Sequence, residues 1–127
     1  MAKTTQLTVT AESKPGVLAR VCDALAKAGV NVVAICAAEA AGRGKIRLVV
    51  SDPAKAKSAL AAAKIRCGEE PALLLPMEDR PGALAEVASR LAAAKINIKC
   101  VYASASGGRA QVVVAVANLD KAERALG

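Results

Sequence analysis

Residues 12–31 read ESKPGVLARVCDALAKAGVN, and residues 78–97 read EDRPGALAEVASRLAAAKIN. The second stretch repeats the first after a displacement of 66 positions, and the match continues without a gap on both sides. Over residues 6–61 the two copies share 19 identities in 56 pairs. A repeat of this length predicts one small structural unit that occurs twice, because two copies are too few for a solenoid.

Each copy shows apolar residues first at the spacing of a strand and then at the spacing of a helix. The elements predicted for the first copy are strands at 7–11, 30–38 and 45–51, a hairpin turn at 40–44, a helix at 16–28 after Pro15, and a second helix with Asp52 as its N-cap. The same pattern recurs in the second copy, with helices at 81–94 and 119–126.

This order of elements predicts an α+β fold of two ferredoxin-like βαββαβ units in tandem, with antiparallel sheets and helices on one face. The expected units are residues 1–68 and 69–127. The second copy ends after its second helix, so its last strand is expected to be missing or borrowed. Segment 65–77 is expected to serve as the last strand of the first copy and the first strand of the second.

The predicted strands carry apolar residues on both faces, because neighbouring positions are apolar at 73–75, 98–101 and 112–116. Helices cover only one face of this fold, so the other face must be buried by the sister copy or by another chain. Together with the missing strand, this two-sided sheet predicts a homodimer.

The composition argues against several classes of protein. The chain has no histidine and no CxxC spacing, so neither a zinc site nor another metal or cofactor site is predicted. No apolar run approaches the roughly 20 residues of a membrane span, and the N-terminal sequence lacks the apolar core of a signal peptide. We therefore expect a cytoplasmic protein without membrane contact. Its thiols are expected to be reduced at Cys22, Cys36, Cys67 and Cys100.

The net charge of +7 is concentrated in the first copy. Residues 1–66 carry 11 Lys and Arg against 4 Asp and Glu, whereas residues 67–127 carry 7 of each kind. A basic surface attracts nucleic acid or other anions, but no aromatic stacking platform accompanies this one. Nucleic-acid binding is therefore not predicted, and the basic residues are interpreted as a solvated surface.

The repeated motif consists of an acidic or polar residue, then x-Pro-Gly-x-Leu-Ala-x-Val, about a dozen further residues, and Asn between apolar residues. It occurs at Glu12–Asn31 and again at Glu78–Asn97. On these residues the chain resembles the ACT domain family, and it is similar to the small stand-alone proteins made of two tandem ACT domains. The resemblance covers nearly the whole chain.

The resemblance implies a sensor of small molecules, most often of amino acids, that regulates amino-acid metabolism. In members that bind serine, the ligand lies at an interface between domains, against the loop before Pro-Gly and the Asn of the next strand. The positions implied here are Ser13, Gly16 and Asn31 in the first copy and Asp79, Gly82 and Asn97 in the second. Those members have Asn at the positions of Ser13 and Asp79 and His at those of Ala11 and Met77, so the ligand's identity stays open.

The chemistry of these residues suits a zwitterion. Unpaired N–H groups at a helix N-terminus favour a carboxylate, a carboxylate such as Asp79 holds an ammonium group, and an Asn amide both donates and accepts. The helix residues added on this ground are Val17 and Leu18, with Ala83 and Leu84 in the second copy. The same residues also fit purely structural roles, with Pro-Gly as a turn and Asp79 as an N-cap.

No nucleophile–base pair, phosphate loop or metal spacing is present in the sequence, so an enzyme is not predicted. The preferred hypothesis is a non-enzymatic sensor that binds an amino acid or a similar small carboxylate and acts through a regulated partner such as an enzyme. The alternative is a protein-interaction or dimerisation module without a ligand.

Overall fold

The two copies fold into the same succession of elements. The computed structural model describes residues 2–127, and in this range the chain forms six strands and four helices. The elements are β1 (Ala2–Glu12), α1 (Val17–Lys27), β2 (Val32–Ala40), β3 (Arg43–Val50), α2 (Pro53–Ala62), β4 (Gly68–Glu78), α3 (Ala83–Ala93), β5 (Cys100–Ser106), β6 (Arg109–Ala115) and α4 (Leu119–Leu126). The predicted α+β fold with two ferredoxin-like units is confirmed.

Equivalent elements of the two copies lie 66 positions apart. Helices α1 and α3 have 11 residues each, and both their ends show this displacement. Strands β1 and β4 repeat the same order of exposed and buried positions over all 11 residues. The repeat seen in the sequence is therefore also a repeat of local structure and of burial.

One compact unit comprises Thr5–Glu69. Its central strand β3 pairs antiparallel with β1 on one side and with β2 on the other. Alternate residues of these strands face α1 and α2, because successive side chains of a strand point to opposite faces. The core between sheet and helices consists of Leu7, Val9, Val21, Leu25, Val30, Ile46, Leu48, Val50, Ala56 and Leu60.

The other compact unit comprises Glu70–Gly127 together with residues 2–4. Its central strand β6 pairs antiparallel with β4 and β5. Lys3 Nζ lies 2.6 Å from Asp120 Oδ1 on α4, and this hydrogen bond is the largest of the effects that raise the pKa of Lys3. The core of this unit consists of Leu73, Leu75, Leu91, Val112, Val114, Val116 and Ala122.

The boundary between the two compact units falls inside strands. Strand β1 contributes its residues up to Thr4 to one unit and its residues from Thr5 to the other. Strand β4 is divided in the same way between Glu69 and Glu70. Residues 2–4 thus belong to the same unit as the second copy.

The later helix of each copy starts from a side-chain cap. Asp52 Oδ1 accepts from the Lys55 N–H at 3.1 Å, which confirms Asp52 as the N-cap of α2. Asn118 Oδ1 accepts from the Lys121 N–H at 3.0 Å at the start of α4. No helix among residues 2–127 combines the length and the apolar character that crossing a membrane requires.

The sheet face opposite the helices also contains inaccessible apolar residues. Val49 and Val113 alternate with core residues of β3 and β6, so they point away from the helices, and they are 1% and 2% exposed. The sequence predicted that this face needs cover from the sister copy or from another chain. Because these two side chains are already inaccessible in the single chain, their burial does not require a dimer.

Candidate functional site

Both Pro-Gly turns place a glycine with a left-handed backbone directly before a helix. Gly16 has φ 93° and Gly82 has φ 90°, and α1 and α3 begin at the next residue. The Arg20 N–H donates to Gly16 O and the Glu86 N–H donates to Gly82 O, both at 3.0 Å. Neither helix start has a side-chain cap from residues 2–127. In α3 the Ala83 N–H donates to Arg80 O at 3.2 Å, so this predicted contact is not an unpaired donor. The N–H groups of Leu84 and, in α1, of Val17 and Leu18 remain available to a ligand.

These glycines are required by backbone conformation rather than by crowding. A side chain at φ near +90° is strained for an L-residue. A Cβ added at Gly16 would have no heavy atom within 4 Å beyond its chain neighbours, and one at Gly82 would meet only Arg80 Nη1 at 3.9 Å. The space in front of both turns is therefore open, as a ligand site requires.

Ser13 and Asp79, which precede the two turns, are held by hydrogen bonds of their backbone N–H groups, and their side chains are exposed. The Ser13 N–H donates to Gly42 O, and the Asp79 N–H donates to Gly108 O, both at 3.0 Å. Each of these bonds ties the end of a strand to the hairpin of the same copy. The exposed Asp79 carboxylate makes no hydrogen bond or ion pair with residues 2–127, and the N-cap of α3 is Gly82 rather than Asp79.

Asp79 borders a small cavity in the second copy. The cavity has a volume of about 200 Å³ and lies between the end of β4, the start of α3 and the hairpin formed by β5 and β6. Two of the helix residues predicted as ligand contacts, Ala83 and Leu84, line it together with Asp79. The hairpin contributes Ala103, Ser104, Ala105, Ala110 and Val112.

Sequence reasoning missed the hairpin side of this cavity. The predicted strand order held the relevant signal, because β6 pairs antiparallel with β4 and the hairpin at its start therefore lies beside the turn after β4. The small side chains of Ala103 and Ala105 leave the space that the cavity occupies. Alanine is common throughout this chain, so these residues did not stand out.

A charged cluster flanks the cavity. Arg80 Nε lies 3.2 Å from Glu78 Oε2, and Arg80 Nη2 lies 3.2 Å from Glu86 Oε1. The hydrogen bond to Glu86, followed by the charge of the same carboxylate, raises the pKa of the Arg80 guanidinium. Arg80 is therefore occupied by two carboxylates of its own copy, and Asp79 is left as the carboxylate without a cationic partner at the cavity.

The two predicted asparagines lie far from the Pro-Gly turns of their own copies. Asn97 precedes β5, whose start pairs with Ala115, whereas Asp79 follows the end of β4, which pairs with Arg109. From Arg109 to Ala115 the chain of β6 advances by six residues, which corresponds to roughly 20 Å at about 3.4 Å per residue. Within one copy the structure therefore brings Asp79, Gly82, Ala83 and Leu84 together and leaves Asn97 at the opposite end of the sheet.

The first copy has the same arrangement. The Asn31 N–H donates to Ser51 Oγ and the Ser51 N–H donates to Asn31 O, both at 2.9 Å, at the end of the unit opposite Ser13. The side-chain amides of Asn31 and Asn97 are exposed and make no hydrogen bond with residues 2–127. Both amides are available to a partner outside their own copy.

The chemistry of the turn region is that of binding. Backbone N–H groups at a helix start complement an anion, and a carboxylate such as Asp79 complements a cation. Among residues 2–127, no group of three or more Cys, Asp and Glu side chains is close enough to hold a metal ion. The arrangement therefore suits a small molecule that carries both charges.

Comparisons with known proteins agree with the fold and with the motif. A family model described as an ACT domain pair matches residues 2–126. No match was found among curated proteins. Among solved structures, protein BT0572 from Bacteroides thetaiotaomicron is 35% identical with a TM-score of 0.90, and the match covers 98% of this chain and 86% of that one.

Two further solved structures share the fold at lower identity. The regulatory subunit of aspartate kinase from Thermus thermophilus, in its ligand-free form, is 21% identical with a TM-score of 0.72, over 98% of this chain and 93% of that one. Clostridium acetobutylicum aspartate kinase is 17% identical with a TM-score of 0.66, over 98% of this chain and 32% of that one. Since the family model covers nearly all of its residues, the chain belongs to the ACT domain pair family.

Proposed function

We propose that this protein is a non-enzymatic sensor that binds an amino acid at the Pro-Gly turn of its second copy and passes the bound state to a partner. The observation that carries the proposal is that the free Asp79 carboxylate and the uncapped start of α3 border one cavity. An α-ammonium group and an α-carboxylate require these two kinds of partner at short distance from each other.

The proposed pose follows from the chemistry of the cavity walls. The ligand's ammonium group pairs with Asp79, and its carboxylate accepts from the Leu84 N–H at the positive end of the α3 dipole. Ala103 and Ala105 give the ligand's side chain an apolar wall. The cavity has about 200 Å³, opens to solvent and is smaller than most small-molecule sites, so an amino acid is a ligand of suitable size.

The turn of the first copy is proposed as a second, weaker site. Gly16, Val17 and Leu18 repeat the uncapped helix start. The neutral Ser13 stands where the second copy has Asp79, so an ammonium group gains no ion pair there. Two sites of unequal affinity are therefore expected.

A regulatory role in amino-acid metabolism is supported by a protein that shares this fold. One protein that shares it is a regulatory subunit of aspartate kinase. The described residues of this chain offer binding groups and no catalytic constellation. We infer that the protein acts on a separate enzyme of amino-acid metabolism in the cytoplasm, and that binding of the amino acid changes this association.

The test is titration calorimetry of the whole chain against each of the twenty amino acids. We expect heat from one amino acid or a small related group. At 100 times its dissociation constant, such a ligand should stabilise the protein by roughly 2.7 kcal/mol. Absence of heat and of thermal stabilisation with all twenty would favour the second candidate, a protein-interaction module without a ligand. The exposed Leu18, Ile35, Leu84 and Val101 support that second candidate.

We propose further that the chain forms a homodimer through its outer strands. Strands β2 and β5 each pair on one side only, and an unpaired strand edge accepts a strand from another chain. Ile35 on β2 and Val101 on β5 are 40% and 44% exposed, which is high for large apolar residues. The exposed Asn31 and Asn97 amides lie far from the Pro-Gly turns of their own copies and are therefore candidates for contact with a second chain.

Sedimentation analysis at low micromolar concentration tests the dimer. We expect the wild-type chain to sediment as a dimer and the Val101→Lys variant, with its charged strand edge, to shift towards the monomer. Val33→Lys makes the same change on the other outer strand, β2, where the Val33 side chain is also 44% exposed. A wild-type chain that sediments as a monomer would refute the dimer and leave the ligand site of the second copy untouched.

A further inference from the structure

The first copy contains a cleft of its own beside the first turns of α1. This cleft has a volume of about 300 Å³ and lies between the end of β1, the first turns of α1 and the segment that connects α2 to β4. Val9, Val17, Val21 and Ile65 form an apolar floor, of which Val9 and Val21 are 2% and 1% exposed. We call it the basic cleft, after its rim.

Four cationic side chains and one carboxylate surround the basic cleft. The cations are Lys14, Arg20, Lys64 and Arg66, and the carboxylate is Glu12. They come from three separate segments of the chain, which the fold brings to one opening. Arg20 Nη2 donates to Ala63 O at 3.2 Å, which holds the guanidinium against the end of α2.

None of the four cations is neutralised within the described chain. Across residues 2–127, ion pairs within 4.0 Å engage the cations of Lys3, Lys57 and Arg80 and none of those around the basic cleft. The four cations share one opening with a single carboxylate, and like charges repel one another. A bound anion would remove that repulsion.

The second copy provides an internal comparison. Its equivalent cleft has a volume of about 230 Å³, and its charged lining residues are Glu86 and Arg90, one of each sign. Glu86 occupies the position of Arg20, and there it pairs with Arg80, the counterpart of Lys14. The cleft of the second copy therefore has balanced charges, whereas the equivalent basic cleft of the first copy has a surplus of positive charge.

From the excess charge, the apolar floor and this contrast, we propose that the basic cleft binds a small organic dianion with an apolar body, either a phosphomonoester or a dicarboxylate. The cations at the rim hold the charged group, and the apolar body rests on the four aliphatic side chains of the floor. The volume matches the lower end of the range for small-molecule sites, which begins near 300 Å³. This site is separate from the amino-acid site of the second copy, although it shares Val17 with the weaker site proposed for the first copy. It would make the protein responsive to two kinds of metabolite.

Two variants remove charge from the rim without removing the floor. Arg20→Glu installs the residue of the second copy. Lys64→Gly removes a cation at a position where φ is +61°, a conformation that glycine adopts more readily than lysine. The second variant therefore weakens an anion site without an expected loss of folding stability.

The experiment is titration calorimetry at low salt with phenyl phosphate and with phthalate, two dianions with an apolar ring. We expect binding that weakens as salt is raised and that falls at least tenfold in Arg20→Glu and severalfold in Lys64→Gly. The neutral analogue benzamide should not bind. Preference between the two probes assigns the ligand to the phosphomonoesters or to the dicarboxylates.

Arg109→Glu is the matched control, because it makes the same charge change at an exposed position on β6 of the second copy. Its affinity for the dianions should stay within twofold of the wild type. No binding of either dianion, or equal loss in Arg109→Glu, would overturn the proposal. Amino-acid binding at the second copy should survive in Arg20→Glu, because none of the residues that line that cavity is changed. Failure of the basic cleft and failure of the sensor function therefore give different results.

Discussion

Replacement of Leu25 or Leu91 by alanine is expected to lower the free energy of unfolding by about 2–5 kcal/mol. The two leucines are equivalent in the repeat, lie on α1 and α3, and are 1% and 0% exposed in the cores of their units. Truncation leaves a cavity that the packed sheet and helices fill only in part. Since small domains are stable by only about 5–15 kcal/mol, urea denaturation of either variant should show a clear shift in midpoint.

Leu18→Ala and Leu84→Ala are matched controls on the same two helices. Each leucine is 45% exposed, so each variant should change the unfolding free energy by less than about 1 kcal/mol. Because β1 and β4 both contribute to both units, we also expect a single unfolding transition in all four variants. A core variant as stable as its surface control would show that the helix does not pack as described.

Asp79→Ala is expected to weaken binding of the amino acid by about 1.5–3 kcal/mol, the range for a hydrogen bond to a charged group. This loss corresponds to a decrease in affinity of roughly 10- to 150-fold. The reason is that the ammonium group loses the only cavity-lining carboxylate that has no cationic partner of its own. Titration calorimetry with the amino acid identified in the panel measures the effect.

Ser13→Ala is the equivalent change in the first copy and should cost only about 0.5–1.5 kcal/mol at that site. Neither variant should unfold the protein, because both side chains are exposed and make no hydrogen bond with residues 2–127. Unchanged affinity in both variants would place the amino acid elsewhere on the chain. A protein that unfolds in Asp79→Ala would instead assign a structural role to the carboxylate.

The repeat made most of the fold predictable. Periods of two and of 3.6 residues mark the same elements in both copies, so each copy supported the interpretation of the other. The turn residues were equally informative, because Gly16 and Gly82 adopt the positive φ that glycine permits. The β-α-β order also implied that Asn97 starts its strand at the sheet end opposite Asp79, although the motif alone suggested that the two act together.

Other features were not encoded in local patterns. Residues 2–4 are small or polar, so nothing in their sequence predicts that they join the unit of residues 70–127. The basic cleft could not be predicted from the sequence either, because Lys14 and Arg20 lie near Lys64 and Arg66 only after α2 packs beside α1. The surplus of positive charge was visible in the composition, and its concentration at one opening required the tertiary structure.

The division of β1 between the two units has a consequence for synthesis on the ribosome. The unit of Thr5–Glu69 is continuous in sequence, so it has all its residues as soon as Glu69 leaves the exit tunnel. The other unit includes Lys3 and Asp120, which are 117 positions apart, so it needs residues made before Thr5 as well as residues made after Glu69. Closing so long a segment is slow, because the entropy of the intervening chain opposes it. Residues 2–4 must therefore wait until the whole of the second copy has been synthesised before that unit is complete.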